Sequence, residues 1–483
     1  MFPRFSQKWL KLDLSPLQDW LDENRTRLIR LFVFLGLAGY LFLLPRYAIG
    51  KHRLPQMVIF ATLGIGGLAL LLANPALATL LIIPVALMVP FGIGTGTQSN
   101  LNAGILIVLV CAGLWVLEMI VIRKKINIIQ SRPILPLFLL MLASVVSLGF
   151  GQLPWFNMPQ ASLASQIGGM MMYVLAGLTY LVAAHRLSLP ALKWAVIVFL
   201  GVGAVYLILR PFTNNYYSLV YPVVRLFEPG ATGSLFWVWI LSISTGQLIF
   251  NHRMPLLLKV GLGGLLVAFF YNSLIIGREW TSGWLPPILG ASAIIFVGFR
   301  RTRVFIGLMA IIGIIATFPT LQTTVMGGNE YSLVTRTEAW EILLKMVQVN
   351  PVFGLGPANY YFYTPIFPIR GYYVQFNSHN NYIDLLVQTG IVGLGLFIWF
   401  MVEQSMLGLR MMTRVPEGFA KGLVYGIFGG TIGTIVAGMF GDWVIPFIYN
   451  VGFNGFRASI LGWFFMGALV ALEQHFRVVN ENK

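Results

Sequence analysis

Long apolar runs separated by short polar breaks make up most of this chain. They fall at 27–44, 57–73, 76–91, 101–122, 134–150, 164–184, 190–209, 232–250, 256–276, 283–299, 304–318, 383–408, 419–440 and 456–473. Each approaches the roughly 20 residues that a helix needs to cross the hydrocarbon core. The pattern predicts an all-α polytopic membrane protein with about fourteen transmembrane helices. Ahead of the first run, 1–26 reads as an interfacial amphipathic segment, with Phe5, Trp9 and Leu12 on one helical face and Lys8 and Lys11 toward lipid phosphates. Ser15-Pro16-Leu17-Gln18 has the form of a capping box.

One stretch departs from the pattern. Residues 319–382 form a long polar and aromatic segment that divides an N-terminal bundle of about eleven spans (27–318) from a C-terminal three (383–483). A structureless loop of that length would be unusual. Thr335 and Glu338 have the T-x-x-E spacing of a helix start, and Trp340, Leu343, Leu344 and Val347 follow at i, i+3, i+4 and i+7. The spacing predicts an amphipathic helix over 335–349, stopped at Asn350-Pro351. Asn377 or Ser378 can cap the next helix, in which Gly390 and Gly393 would let a neighbour approach closely.

Composition agrees with a membrane protein: 57% of residues are hydrophobic and 10% charged, against about 25% charged in soluble domains. The net charge of +16 is spread as short clusters at run ends, which reads as topology and excludes a nucleic-acid partner. Arg123-Lys124-Lys125, His185-Arg186, Arg253, Arg300-Arg301-Arg303 and Arg410/Arg414 all fall on one side, which becomes cytoplasmic together with both termini. Arg46, Lys51 and Arg53 run against that rule. Asp13, Asp19, Asp22 and Glu23 stand where a cleavable signal would be apolar. The single cysteine, Cys111, allows no intrachain disulfide. Loops 151–163, 210–231, 319–382 and 441–455 lie outside and are dense in Trp and Tyr, as an interfacial belt requires, with some rings free to stack on sugars.

The chemistry concentrates in the long loop. Arg336 would sit in the first turn of the 335–349 helix, where free N–H groups and the positive helix end favour an anion. His379 would stand at a helix N-terminus near arginines, which keeps its imidazole neutral and fit to act as a base. Arg278 lies at the outer end of an earlier span, and Arg210, Arg225 and Arg370 are further candidates for phosphate or glycan contacts. His52, His185, His252 and His475 sit beside basic residues at span ends and read as interfacial. Glu330, Glu338, Glu341 and Asp384 are not spaced as an oxygen-rich metal site, so no metal is expected.

These residues resemble the shared region of the bacterial O-antigen ligase and polysaccharide polymerase superfamily. The matching elements are Arg336 with Trp340, then Asn350-Pro351-Val352-Phe353-Gly354-Leu355-Gly356, then His379-Asn380 followed by Gly390 and Gly393. Arg278 matches an upstream arginine of the family, although it reads Gly-Arg-Glu where the family has a Ser-Arg-Gly-like element. The resemblance implies a GT-C-like glycosyltransferase in the bacterial inner membrane with its site in a large, partly helical periplasmic loop. The donor would be a glycan on undecaprenyl pyrophosphate and the acceptor a hydroxyl of lipid A-core or of a lipid-linked glycan. The reaction would be inverting and free of cofactor. His379 would be the general base, Arg336 and Arg278 the pyrophosphate ligands, and Asn380 and Tyr382 substrate contacts beside them. An O-antigen ligase is favoured over a polymerase of the same superfamily. A transporter is the alternative from another class, since some members are bicarbonate-linked, and Glu118 and Glu403 lie in or near spans.

Overall fold

Helices account for nearly every described element of the computed structural model, which covers residues 75–94, 100–213, 220–299 and 330–481, with single positions at 301, 303, 305 and 307. The 1–26 segment, the runs 27–44 and 57–73, and all of 304–318 but positions 305 and 307 lie outside the described residues.

Eight of the described helices are long and apolar enough to cross a membrane: Ala103–Ile122, Leu163–Arg186, Leu189–Phe212, Leu256–Ile276, Thr281–Gly298, Asn381–Met412, Phe419–Ala437 and Gly452–Arg477. A ninth is possible if Tyr221–Ala231 and Ser234–Phe250, bent by 95° at their junction, count as one broken span. Two of the expected runs form shorter apolar helices, Ala76–Met88 and Ile134–Phe150. The protein is therefore an all-α polytopic membrane protein with eight or nine spanning helices among the described residues. The expected loop 210–231 is largely helical, and its Tyr221–Ala231 arm buries Val224, Phe227 and Ala231 while Arg225 faces out.

Local sequence explains several helix starts. Ser162 accepts from the Ser165 N–H and Ser188 from the Ala191 N–H, and Pro190 fills the first turn of the next helix. The chain divides into two units, 1–78 with 110–129 and 79–109 with 130–483. In the first, the last turns of the Ala103–Ile122 span are π-helical and are closed by an Arg123–Glu118 ion pair at 2.7 Å.

The second unit holds every candidate site residue. Its interior is the C-terminal helix: 94% of the Gly452–Arg477 span is buried, against 22% of Leu256–Ile276, whose Leu256, Leu257, Val260 and Val267 are left for lipid. The Ser234–Phe250 helix is almost wholly buried too and contributes Trp237 and Trp239 to the core. Alternation of the helices sorts the polar residues to two ends. Arg186, Arg253, Arg410 and Arg414 close helices at one end. Arg210, Arg278, His379 and Asp442 stand at the other.

Candidate functional site

The described part of the long loop, 330–382, is a folded body with its own core. Ala339, Ile342, Leu343, Met346 and Val347 make a buried helical stripe that packs on Leu355, Tyr360, Tyr363, Ile369, Val387 and Phe447. Tyr360 and Tyr363 are thus fully buried core residues rather than interfacial or sugar-stacking rings. Tyr372 and Tyr373 remain exposed beside a tight turn in which Arg370 and Gly371 both take positive φ.

The helix carrying Arg336 runs Glu330–Met346 and ends in a 3-10 turn, Val347–Val349. It begins at least five residues before the expected start at 335. Thr335 therefore does not cap it, and Arg336 stands beyond the first turn, away from free N–H groups. A capping pattern acts only where the chain enters the helix, and here T-x-x-E lies inside one. The buried stripe is also displaced from the expected face, leaving Leu344 exposed.

Two motifs far apart in sequence interlock. The 381–412 helix is broken at Gly390, with φ 68° and ψ −171°. The Asn350–Gly356 loop threads this break: Ile391 N–H donates to Pro351 O at 2.8 Å, Leu355 N–H to Val387 O at 2.8 Å, and Gly356 N–H to Gln388 O at 3.1 Å. A Cβ on Gly390 would lie 2.1 Å from Val352 O, and one on Gly354 would lie 2.5 Å from the Gln388 backbone. Gly390 is thus needed for a backbone break rather than for ordinary helix packing as expected.

His379 sits immediately before the helix cap, half-buried, with φ 48°. That left-handed setting is uncommon for a side chain other than glycine, and bonds on both sides hold it. Asn380, rather than Asn377 or Ser378, caps the helix, accepting from the Tyr382 N–H at 2.9 Å. Ser378 Oγ lies 2.7 Å from Asp384 Oδ1 and accepts the Asn380 N–H at 2.9 Å. The buried Tyr360 hydroxyl donates to Asp384 Oδ1 at 2.5 Å. Burial holds its phenol well above the ordinary value, with the Asp384 charge adding to it, so it stays a donor. Asn381 is clamped by Ile445 O at 2.7 Å and Val444 N–H at 2.8 Å.

The Arg336 guanidinium acts electrostatically on the His379 imidazole. Burial first, and the Arg336 guanidinium second, hold the imidazole below the ordinary histidine value. Arg336 is itself half-buried, and that burial lowers its own pKa. Trp340 explains the pairing: it lies one turn after Arg336 on the same face, and its Nε1–H donates to Ser378 O at 2.8 Å. Trp340→Phe keeps the ring but leaves that carbonyl unsatisfied. It should cost about 1–3 kcal/mol, read as a lower thermal unfolding midpoint in detergent.

The other candidates are placed less closely. Arg278 is exposed, and its carbonyl accepts from Trp284 Nε1 at 3.0 Å. Two residues on, the Trp280 ring lies 6.0 Å from that of Trp443. Arg210 covers the Trp237 ring at 5.3 Å and donates to Asn272 O at 3.4 Å. Arg225 is exposed on the bent arm. Arg370 is exposed at the turn tip, where its backbone N–H donates to Glu338 Oε1 at 3.1 Å. The Asn380 amide oxygen is taken up by the cap. The Tyr382 hydroxyl donates to Ile435 O at 2.7 Å, so it turns toward the neighbouring helix rather than toward His379.

The sequence reading passed over Asp442 and Asn450. Asn450 Nδ2 lies 3.5 Å from His379 Nδ1 and 2.6 Å from Asp442 Oδ1. Asp442 is 1% exposed, and burial pushes its carboxyl up. An acidic residue between two apolar runs was the available signal.

Residues 265–398 match a family model described as O-antigen ligase. This part of the chain is O-antigen ligase-like. No curated protein matches the chain. The O-antigen ligase-like stretch contains Arg278, Arg336, Trp340, the Asn350–Gly356 loop, His379 and the Gly390 break. It stops before Asp442 and Asn450, which pack onto it from outside.

Proposed function

We propose that the protein is a membrane glycosyltransferase of the O-antigen ligase type, moving a glycan from undecaprenyl pyrophosphate to a hydroxyl of lipid A-core. The observation that carries this reading is the pairing of Arg336 with an uncharged His379 at the head of the Asn381–Met412 span. A neutral imidazole takes the proton from the acceptor hydroxyl as that oxygen attacks the anomeric carbon. The glycosyl–pyrophosphate bond breaks on the opposite face, which inverts the centre, and charge builds on the leaving oxygen. Guanidinium groups from Arg336 and Arg278 receive that charge, and a fork matches two phosphate oxygens at once. In this reading Arg210, Arg225 and Arg370 contact the rest of the lipid pyrophosphate or its glycan.

Among the described residues no three His, Cys, Asp or Glu side chains are grouped as a metal site would need. In the proposed scheme arginines carry the charge. An apolar groove of about 350 Å³ runs beside the same helix, lined by Tyr382, Phe397, Met401, Met406, Ile435 and Met439, and suits a polyprenyl chain. The sorting of Arg186, Arg253, Arg410 and Arg414 to the far end supports a cytoplasmic position for that end. The site then faces the periplasm, both termini the cytoplasm, in a GT-C-like bundle of about fourteen spans in the inner membrane.

Reconstitution with a lipid-linked glycan and lipid A-core tests the proposal. The wild type should yield one capped lipid A-core, whereas a ladder on the polyprenyl carrier would make the protein a polymerase. Arg336→Ala should lower transfer by about 10²–10³-fold, as for a lost transition-state donor. Arg336→Lys keeps the charge and loses the fork, and should still lose about tenfold or more. Wild-type transfer rates in Arg336→Ala would sink the reading.

A further inference from the structure

Asn450 touches both a buried acid and the proposed base. Its Nδ2 lies 2.6 Å from Asp442 Oδ1 and 3.5 Å from His379 Nδ1. The carboxylate cannot swing away, because Asp442 Oδ2 accepts the Phe447 N–H at 2.8 Å in a site closed to solvent. The Asn450 backbone is fixed as well, donating to Phe447 O at 3.1 Å. Its side chain is exposed to solvent and bonded to Asp442, so it stands at the site.

We infer that Asn450, held by Asp442, is a positioning residue that sets the tautomer of His379. The inference rests on His379 being the base of the proposed transfer. An amide presents donors at one end and an acceptor at the other. With Nδ2 toward both partners, the ring would accept at Nδ1 and carry its proton on Nε2. Such a ring can donate from Nε2 and cannot take a proton there. Turned over, the amide presents Oδ1 to both partners. It then accepts a His379 Nδ1–H and a proton held by the Asp442 carboxyl, and the Nε2 lone pair is open to the acceptor hydroxyl. The turn moves one ring proton from Nε2 to Nδ1 through solvent and requires one proton on Asp442. Burial of Asp442 favours that protonated form. The other titratable groups around the ring are Arg336, from its own helix, and Asp384, behind Ser378.

The test uses the full chain, labelled with [15N]histidine in lipid nanodiscs, with the His379 signals assigned by their absence in His379→Asn. The wild type should show Nδ1 protonated and hydrogen-bonded and Nε2 unprotonated, the form that can accept the proton. Asn450→Leu should give mixed tautomers and about a tenfold lower kcat, the worth of one hydrogen bond, with KM for the lipid donor unchanged. The double variant Asn450→Leu with Asp442→Asn should be no slower than the worse single, since both act on one relay. Unchanged His379 ring signals in Asn450→Leu would overturn the inference, and this exposed site decides it even if Asp442→Asn fails to fold. Full transfer by His379→Asn would remove the base assignment instead, leaving the ring signals to decide the relay.

Discussion

His379→Asn should lower glycan transfer by roughly 10²–10⁴-fold, the range for a lost general base, while the protein extracts and folds as the wild type does. Asparagine is the informative replacement because residue 379 has φ 48°, and asparagine is enriched in the left-handed region that most side chains avoid. The pH profile gives the same assignment by a second route. Burial and Arg336 favour the uncharged ring, so its folded pKa lies below the ordinary histidine value. Protonation removes the base, so activity is lost as pH falls through that lowered pKa. The acid limb of kcat/KM, which reports the free enzyme, should therefore lie below about pH 6.5. An acid limb above that, or near-normal transfer by His379→Asn, would take the base role away from this residue.

The two residues of this pairing were legible in the sequence, and the reason they meet was not. Arg336 and His379 stand out because charged and titratable side chains are sparse in so apolar a chain, and their motifs resemble a known family. Their approach depends on Trp340 reaching Ser378 O, a contact across 38 residues that no local spacing encodes. The expected cap at Thr335 failed because T-x-x-E is a local pattern and the helix entry lies upstream of it. For the tyrosines, position between spans suggests the interface. Tyr360 is instead drawn inward by the Asp384 carboxylate and by stacking on Phe447 at 4.7 Å. Asp442 and Asn450 were passed over because their partner, His379, lies more than sixty residues away along the chain. The spans were the most legible feature, since length and hydropathy alone define them. The buried C-terminal helix was not distinguishable from the lipid-facing ones by those measures.

Gly390→Ala should abolish transfer by unseating the loop that carries Arg336, and should destabilise the fold by about 3 kcal/mol or more. Three causes act together. With φ 68° and ψ −171°, Gly390 occupies a region that only glycine adopts without strain. The added methyl would sit 2.1 Å from Val352 O and 2.5 Å from Phe353 N, and both are backbone atoms that no rotamer change can move. Shifting them breaks the ladder from Pro351 and Val352 to Ile391 and Val392. That ladder joins the end of the Glu330–Met346 helix to the span headed by His379, so its loss separates the guanidinium from the imidazole. Gly395→Ala, five residues further on, supplies the contrast. Nothing lies within 4 Å of its added methyl, and alanine suits a helix better than glycine by about 1 kcal/mol. Thermal unfolding of the two variants in detergent should therefore move in opposite directions. Equal midpoints would show that the loop does not depend on the break at Gly390.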